Sequence, residues 1–322
     1  MNTRRILLAC MAASMLLPTS SALAQYPDKP LRLLVGFVPG GFTDVLARII
    51  AEKLSAKLGK PVVVENKPGA TGTIAADQVA KARPDGYTLL MGHVNSNAVA
   101  PALYPKLPYN VQRDFTPIVR VASTPLLLTV NASVPATNVK EFLERAKAKE
   151  LSFASSGPGS MQHLAGEMFM QMTGVKMQHI PYKGSGQAII DLIAGQVDLN
   201  FESPPNVLPH IKNGKVRALA ITGRERSPVL PDVPTMEEAG VPGYEISQWF
   251  GILGPAGLPK DITERLNREI NAILQLPDVI ERIRSQDGTV IGGTPEAFAE
   301  FIKEDTARWA KVIKEAGIEG TF

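Results

Sequence analysis

Short apolar runs alternate with stretches of helical periodicity along this chain, and the alternation starts twice. Leu31-Arg32-Leu33-Leu34-Val35-Gly36-Phe37 predicts a buried strand, and Pro39-Gly40-Gly41 a turn. Val45, Leu46, Ile49, Ile50, Leu54 and Leu58 then recur three or four apart until Gly59 ends the helix. Pro61–Glu65 is the next strand, Ile74–Ala82 the next helix and Tyr87–Met91 the next strand. Such alternation builds a parallel sheet flanked by helices. Beyond Pro125 the pattern restarts, with helices over Phe142–Lys149, Leu164–Met172 and Ile189–Ala194. The strands there are Leu151–Ala154, Val197–Phe201 and Val216–Thr222. The end of the chain is helical over Ile262–Leu276, Val279–Ser285 and Glu296–Ala316, and those helices are expected to pack back on the first unit. The reading is α/β, with two lobes, each a mainly parallel sheet flanked by helices, and a ligand cleft between them. Lobe 1 is expected to comprise 25–129 plus 248–322 and lobe 2 130–247, with crossings near Leu126–Val130 and Ser247–Phe250.

The first residues are of another kind. Arg4-Arg5 precede an apolar stretch from Ile6 to Leu17 that Ser14 interrupts, and Ala22-Leu23-Ala24 precedes Gln25. This is a signal peptide, 1–24, with cleavage expected after Ala24. The apolar run falls short of the roughly 20 residues a membrane span needs. Two of the 34 Lys+Arg lie in that leader, which leaves near parity with the 31 Asp+Glu. The basic pI of about 8.9 therefore carries no sign of nucleic-acid binding. Cys10, the one cysteine, also lies in the leader. An exported chain without disulfides must be held by its core, and one this long can build it. The product is expected to be soluble, outside the cytoplasm.

Most catalytic signatures are missing. Gly214-Lys215 lacks the earlier glycine of a phosphate-binding loop, and Gln162 stands where a dinucleotide fingerprint after Gly157 and Gly159 needs its third glycine. No serine is centred in G-x-S-x-G, and no nucleophile–base pair is recognisable. His93, His163, His179 and His210 are scattered. His163 and Glu167 share a helix face, but one His and one Glu seldom hold a metal without further ligands. No metal and no cofactor are expected, and no enzymatic activity.

What remains suits an anion. Val38-Pro39-Gly40-Gly41-Phe42-Thr43-Asp44 and Ser155-Ser156-Gly157-Pro158-Gly159-Ser160-Met161-Gln162-His163 each join a strand to a helix. Glycines admit a ligand to the backbone, and helix N-termini present free N–H groups with partial positive charge. The competing structural reading makes Thr43, Asp44 and Ser160 N-caps and the glycines mere turns. The matching placement of the loops, one per lobe, favours a site. In His179-Ile180-Pro181-Tyr182-Lys183-Gly184-Ser185-Gly186, a strand end leading into a helix, Tyr182 is placed to wall a pocket, while Lys183 pairs with an acid or is solvated. Glu202 follows an apolar strand where a sheet meets its cleft, and caps the next helix or meets a ligand. Asn95, within His93–Asn97, offers an uncharged hydrogen-bonding group.

Along nearly the whole chain the sequence resembles the Bug-type substrate-binding proteins of tripartite tricarboxylate transporters. The resemblance is carried by Tyr26-Pro27-Asp28-Lys29-Pro30, Pro39-Gly40-Gly41 with Thr43-Asp44, Val64-Glu65-Asn66-Lys67-Pro68-Gly69-Ala70, and Pro84–Leu90. Phe153–Gly157 with Gly159-Ser160, His163–Glu167, Pro181–Gly184 and Leu230–Thr235 continue it in order. It implies a two-lobed, type II-like periplasmic binding protein that closes on a small organic carboxylate and delivers it to integral-membrane transporter subunits. Carried over residue by residue, it points to Phe37, Gly41, Thr43 and Asp44 in lobe 1. In lobe 2 it points to Ser155, Ser156, Gly157, Gly159, Ser160 and His163. Val38 before Pro39, Gly36 in a place often held by Pro, and Asn110 for a common Asp depart from the family pattern. The bulky Phe42 is expected to narrow the pocket or stack on a flat ligand. A monomer is expected. The alternatives are a sensor subunit for a signalling receptor and, more remotely, an exported hydrolase.

Overall fold

The computed structural model describes residues 26–320. The leader, Cys10 and the expected cleavage site lie outside the described residues. Strands β1 (Leu31–Val35), β2 (Val62–Asn66), β3 (Thr88–His93) and β4 (Phe115–Pro125) come first. They are followed by β5 (Leu127–Asn131), β6 (Leu151–Ser155), β7 (Met177–Pro181), β8 (Leu199–Glu202) and β9 (Val216–Ile221), then β10 (Ser247–Pro255) and β11 (Thr289–Val290). One sheet has the order β11-β4-β10-β3-β1-β2 and the other β7-β6-β8-β5-β9.

Between the strands run α1 (Phe42–Leu58), α2 (Thr73–Ala80) and α3 (Ala100–Leu103), then α4 (Val139–Ala148), α5 (Met161–Thr173), α6 (Ser185–Ile193) and α7 (Pro204–Lys212). The C-terminal helices are α8 (Lys260–Leu274), α9 (Pro277–Arg284) and α10 (Pro295–Glu315). A single 3₁₀ turn covers Ala70–Gly72, and a π-helical turn covers Asn95–Val99. The helix boundaries follow local chemistry. Gly59 ends α1 in the left-handed conformation at φ 66°. Asn138 caps α4 by accepting the Glu141 N–H, and Thr294 caps α10 by accepting from Ala297, with Pro295 at the first helical position.

Both sheets are mixed rather than mainly parallel. β1 pairs in parallel with β2 and β3, and β6 with β7 and β8, as the alternation predicts. β4, β5 and β10 add antiparallel partners. These strands carry the chain between the sheets; β5 and β10 run against the strands of the parallel units, while β4, antiparallel to β10, runs with β1–β3. β4 passes through Leu126 straight into β5, and the chain returns after β9 to enter β10. The C-terminal helices pack on the first sheet as expected, with α8 and α10 against β4.

The apolar interior follows the strands. Leu31, Leu33 and Val35 join a cluster with Leu46, Ile50, Leu54, Leu266 and Ile270 on one face of the first sheet. Leu34, on the opposite face, belongs to a second cluster that runs through Leu126, Phe153, Phe169, Phe201, Trp249 and Trp309. That second core continues from one sheet to the other, so the crossing is itself buried.

Thr222 fastens the crossing. Its hydroxyl accepts the Leu126 N–H at 2.8 Å and donates to the Ile246 carbonyl at 2.6 Å. Its backbone N–H donates to the Leu126 carbonyl, and its carbonyl accepts the Ile246 N–H, both at 2.9 Å. Thr222 is fully buried, so water offers the orphaned groups no replacement. Thr222→Val, which keeps the shape and removes the hydroxyl, should cost about 1–3 kcal/mol, while Thr222→Ser should stay closer to the parent. Urea denaturation of the three proteins checks this, and equal midpoints for the parent and the valine variant would contradict it.

Candidate functional site

The first loop closes on its own polar groups. Gly41 is the N-cap of α1 and supplies no side-chain acceptor, which leaves the first-turn N–H groups without a side-chain cap. Asp44 is buried, accepts the Gly40 N–H at 3.0 Å and takes both arms of Arg48 at 2.9 and 3.0 Å. The Asn66 amide adds a bond at 2.9 Å. Burial pushes the Asp44 carboxyl up, but the bonds from Arg48, Gly40 and Asn66 outweigh it and hold it below the usual range. Asp44 therefore fixes the loop, with its charge already paired. Thr43 is buried in the same turn.

Behind this loop stands an aromatic row. Phe37 meets His93 edge-on at 4.7 Å, His93 lies 5.1 Å from Phe250, and Phe250 meets Phe42 edge-on at 5.0 Å. A Cβ built on Gly288 would fall 2.7 Å from the Phe42 ring, so the bulk of Phe42 packs into the first-sheet core. His93 Nδ1 accepts the Asn95 N–H at 3.1 Å, which places the proton of the neutral ring on Nε2, 3.2 Å from Gln248 Oε1. Burial lowers the His93 pKa to about 4, against a small opposing effect of the Gln248 bond.

The second loop is built on β6 and the start of α5. Ser160 caps α5, its hydroxyl accepting the His163 N–H at 3.3 Å. Gly157 and Gly159 have φ of 132° and 70°, and a Cβ on Gly157 would sit 3.2 Å from the Tyr182 carbonyl. His163 Nδ1 accepts the Gly159 N–H at 3.1 Å. Ser155 Oγ takes the Gly157 N–H at 3.1 Å and lies 2.6 Å from His179 Nε2. The His163 and His179 rings stack at 3.9 Å, with Phe153 beyond His179 at 4.9 Å.

Tyr182 donates its backbone N–H to the Ser155 carbonyl and its hydroxyl to Asp191 at 2.8 Å. Glu202 is buried and its Oε1 accepts from Ser203 N–H at 2.8 Å, Asn206 at 3.0 Å and Gln162 at 3.4 Å. Gln162 in turn accepts from Ser156 at 2.9 Å and donates to Ser185 at 3.0 Å. Glu202 thus braces Ser156 through Gln162.

The two walls meet through Asn95. Its Nδ2 donates to the Gly159 carbonyl at 3.2 Å, from the π-helical turn of the first unit to the loop of the second. Phe37, Asn95 and the residues from Ser155 to His163 are thereby brought to one region, and Tyr182 and Glu202 support it from behind. His179, Gln162 and Ser185 lie within the candidate segments but have no role of their own in the sequence reading, and Gln248 lies outside those segments. The register of β6 on β7 sets Phe153 opposite His179, and alternation along β6 places Phe153 and Ser155 on one face, a signal that pairs His179 with Ser155 only once the strands are matched. A surface groove of about 720 Å³ lies elsewhere, lined by Gly223, Arg224, Ser227, Arg284 and Asp287, and takes in none of the candidate residues.

Ser155 and His179 form the serine–histidine contact that sequence spacing does not reveal. Burial, and then the neighbouring His163, lower the His179 pKa to about 3, which makes it a poor base at neutral pH. His163 Nε2 is 3.4 Å from Glu167 Oε1. Among the described residues no group of three or more His, Cys, Asp or Glu is arranged to hold a metal.

Residues 46–318 match the Tripartite tricarboxylate transporter family receptor, TctC. The chain belongs to this family. Protein BugT of Bordetella pertussis is 42% identical over 295 residues, which cover 91% of this chain and 90% of BugT. A solved R. palustris protein with adipate is 38% identical, with TM-score 0.85 over 91% of this chain and 99% of its own. MatC from Rhodopseudomonas palustris with bound malate is 35% identical, with TM-score 0.80 over 89% and 100% of the two chains. The Bug-type resemblance and the two-sheet fold of this receptor are therefore established. Among its described residues no helix is long and apolar enough to cross a membrane.

Protonation links this site to stability. The folded His93 pKa of about 4 lies below the ordinary 6.5, so between those values the unfolded chain holds a proton that the folded one lacks. Stability is full above about pH 6.5 and is lost as pH falls towards 4, at about 1.4 kcal/mol per pH unit from this residue. An NMR titration of the His93 ring should give a midpoint near 4, and a midpoint at or above 6 would refute the assignment.

Proposed function

We propose that this receptor captures a small organic carboxylate in the periplasm and hands it to integral-membrane transporter subunits. The leader 1–24 directs export and is cleaved after Ala24. Lobe 1 (25–129 and 248–322) and lobe 2 (130–247) close on the ligand by rotation at the two crossings, and the mature receptor works as a monomer without catalysis. The observation that supports this reading is the Asn95–Gly159 hydrogen bond, which joins the π-helical turn after β3 to the second strand-to-helix loop, with Phe37, just before the first loop, packed on His93. The relatives' adipate and malate support the ligand class.

The chemistry of the walls fits that class. The first turn of α1 offers N–H groups free of a side-chain cap, and such groups favour an anion. Asp44 is neutralised by Arg48, so it does not repel one. Ser155, Ser156 and Ser160 are tied to Gly157, Gln162 and the His163 N–H, which presets the second loop instead of leaving it to order on binding. Gly41 and Thr43 present backbone or hydroxyl groups to the carboxylate, Gly157 and Gly159, their N–H groups bonded to Ser155 and His163, shape the second wall, and Phe37 and Tyr182 line the cleft.

A thermal-shift screen of the mature protein against carboxylic acids and their amides tests this. An acid at 100 times its dissociation constant contributes about 2.7 kcal/mol, which raises the melting temperature by about 5 °C, and its amide should leave the melt unmoved. An amide that stabilises as well as its acid would overturn the carboxylate reading.

A further inference from the structure

The Asn95 side chain has one satisfied end and one bare end. The Gly159 carbonyl can only accept, so the amide group facing it must be the NH₂. That fixes Oδ1 as the opposite end, and no orientation of the amide satisfies both. Asn95 is 4% exposed, and its Oδ1 has no hydrogen-bond partner. A buried carbonyl oxygen of this kind is destabilising unless a donor reaches it. It stands on the π-helical turn, where the two walls touch, and π-turns within helices are frequent at functional sites.

The neighbouring orphan behaves differently. Asn97 also leaves one end bare, its Nδ2, but its Oδ1 is turned to the β3 end and accepts from the Ser96 hydroxyl at 2.7 Å and the His93 N–H at 3.4 Å. A Cβ on Gly92 would lie 3.2 Å from that oxygen, so Asn97 faces the sheet. Asn95 faces the other wall.

We propose that Asn95 Oδ1 is a specificity determinant that accepts a hydrogen bond from the ligand, and that this receptor selects carboxylic acids bearing a hydroxyl or ammonium group over unsubstituted ones. The inference rests on the carboxylate reading above and adds to it the ligand's second functional group. A hydroxyl and an ammonium share the donor that the oxygen lacks. An unsubstituted acid leaves the oxygen unpaired in the closed cleft, and sites built to receive a ligand donor discriminate strongly against analogues without one.

Calorimetry on matched sets tests it: succinate, malate and aspartate; glutarate, 2-hydroxyglutarate and glutamate; adipate and 2-aminoadipate. In the best-bound set a donor-bearing acid should bind at least ten-fold more tightly than its parent. The hydroxy and amino members show which donor is taken. Asn95→Leu should bring that ratio to within about two-fold. Loss of the Gly159 bridge weakens every member alike and cancels in the ratio, so the ratio reports the oxygen alone. Equal affinities within each set for the parent protein would overturn this inference and leave the carboxylate reading standing, even if the variant does not fold. A ratio that survives in Asn95→Leu would equally overturn it. If no acid in any set binds, this inference falls, while the carboxylate reading stands or falls by the acid-and-amide screen.

Discussion

The two chain crossings between the units are fastened to each other at Thr222. Its hydroxyl and peptide groups hold Leu126 and Ile246 side by side where the chain leaves one sheet and returns to it. The strands on either side, β4 and β10, pair along their length with two register shifts. Such irregularities bend a strand and raise its local twist. A crossing pinned at one fully bonded residue, with irregular strands beside it, suits the rotation that our proposal requires.

The two walls differ in how they are prepared. The second loop is braced by stacked rings and a chain of side-chain bonds from Ser156 through Gln162 to Glu202. The first is anchored at Asp44 and leaves backbone donors open at the start of α1. Charges near the site are already answered, Asp44 by Arg48 and Glu202 by three donors, while burial keeps His93 and His179 neutral. Recognition then falls to dipoles, which discriminate by geometry more than by net charge.

The parts of the fold legible in the sequence are those set by neighbours along the chain. β1, α1 and β2 follow from apolar spacing and from Gly59, and both strand-to-helix loops announce themselves by their glycines. β4 and β10 were not visible as strands. Pro117 and Pro125 lie within β4 and Gly251 and Gly254 within β10, and each strand is stabilised by a partner more than a hundred residues away. The left-handed Ala70 and Thr71, φ 44° and 53°, carry no glycine signal. The π-helical turn at Asn95 has none either, because its bonding depends on where Tyr109 and Ser96 pack. The residue that joins the walls was therefore named from sequence as a bland polar group, and its role came from pairing with Gly159.

Lobe closure on a carboxylate is the centre of this account. Small-angle X-ray scattering of the mature receptor, with and without a saturating acid whose binding calorimetry has established, measures it most directly. The account predicts a smaller radius of gyration in the bound state, as the lobes come together about Thr222. Binding with an unchanged radius would contradict it and would leave a rigid receptor whose two walls are permanently joined.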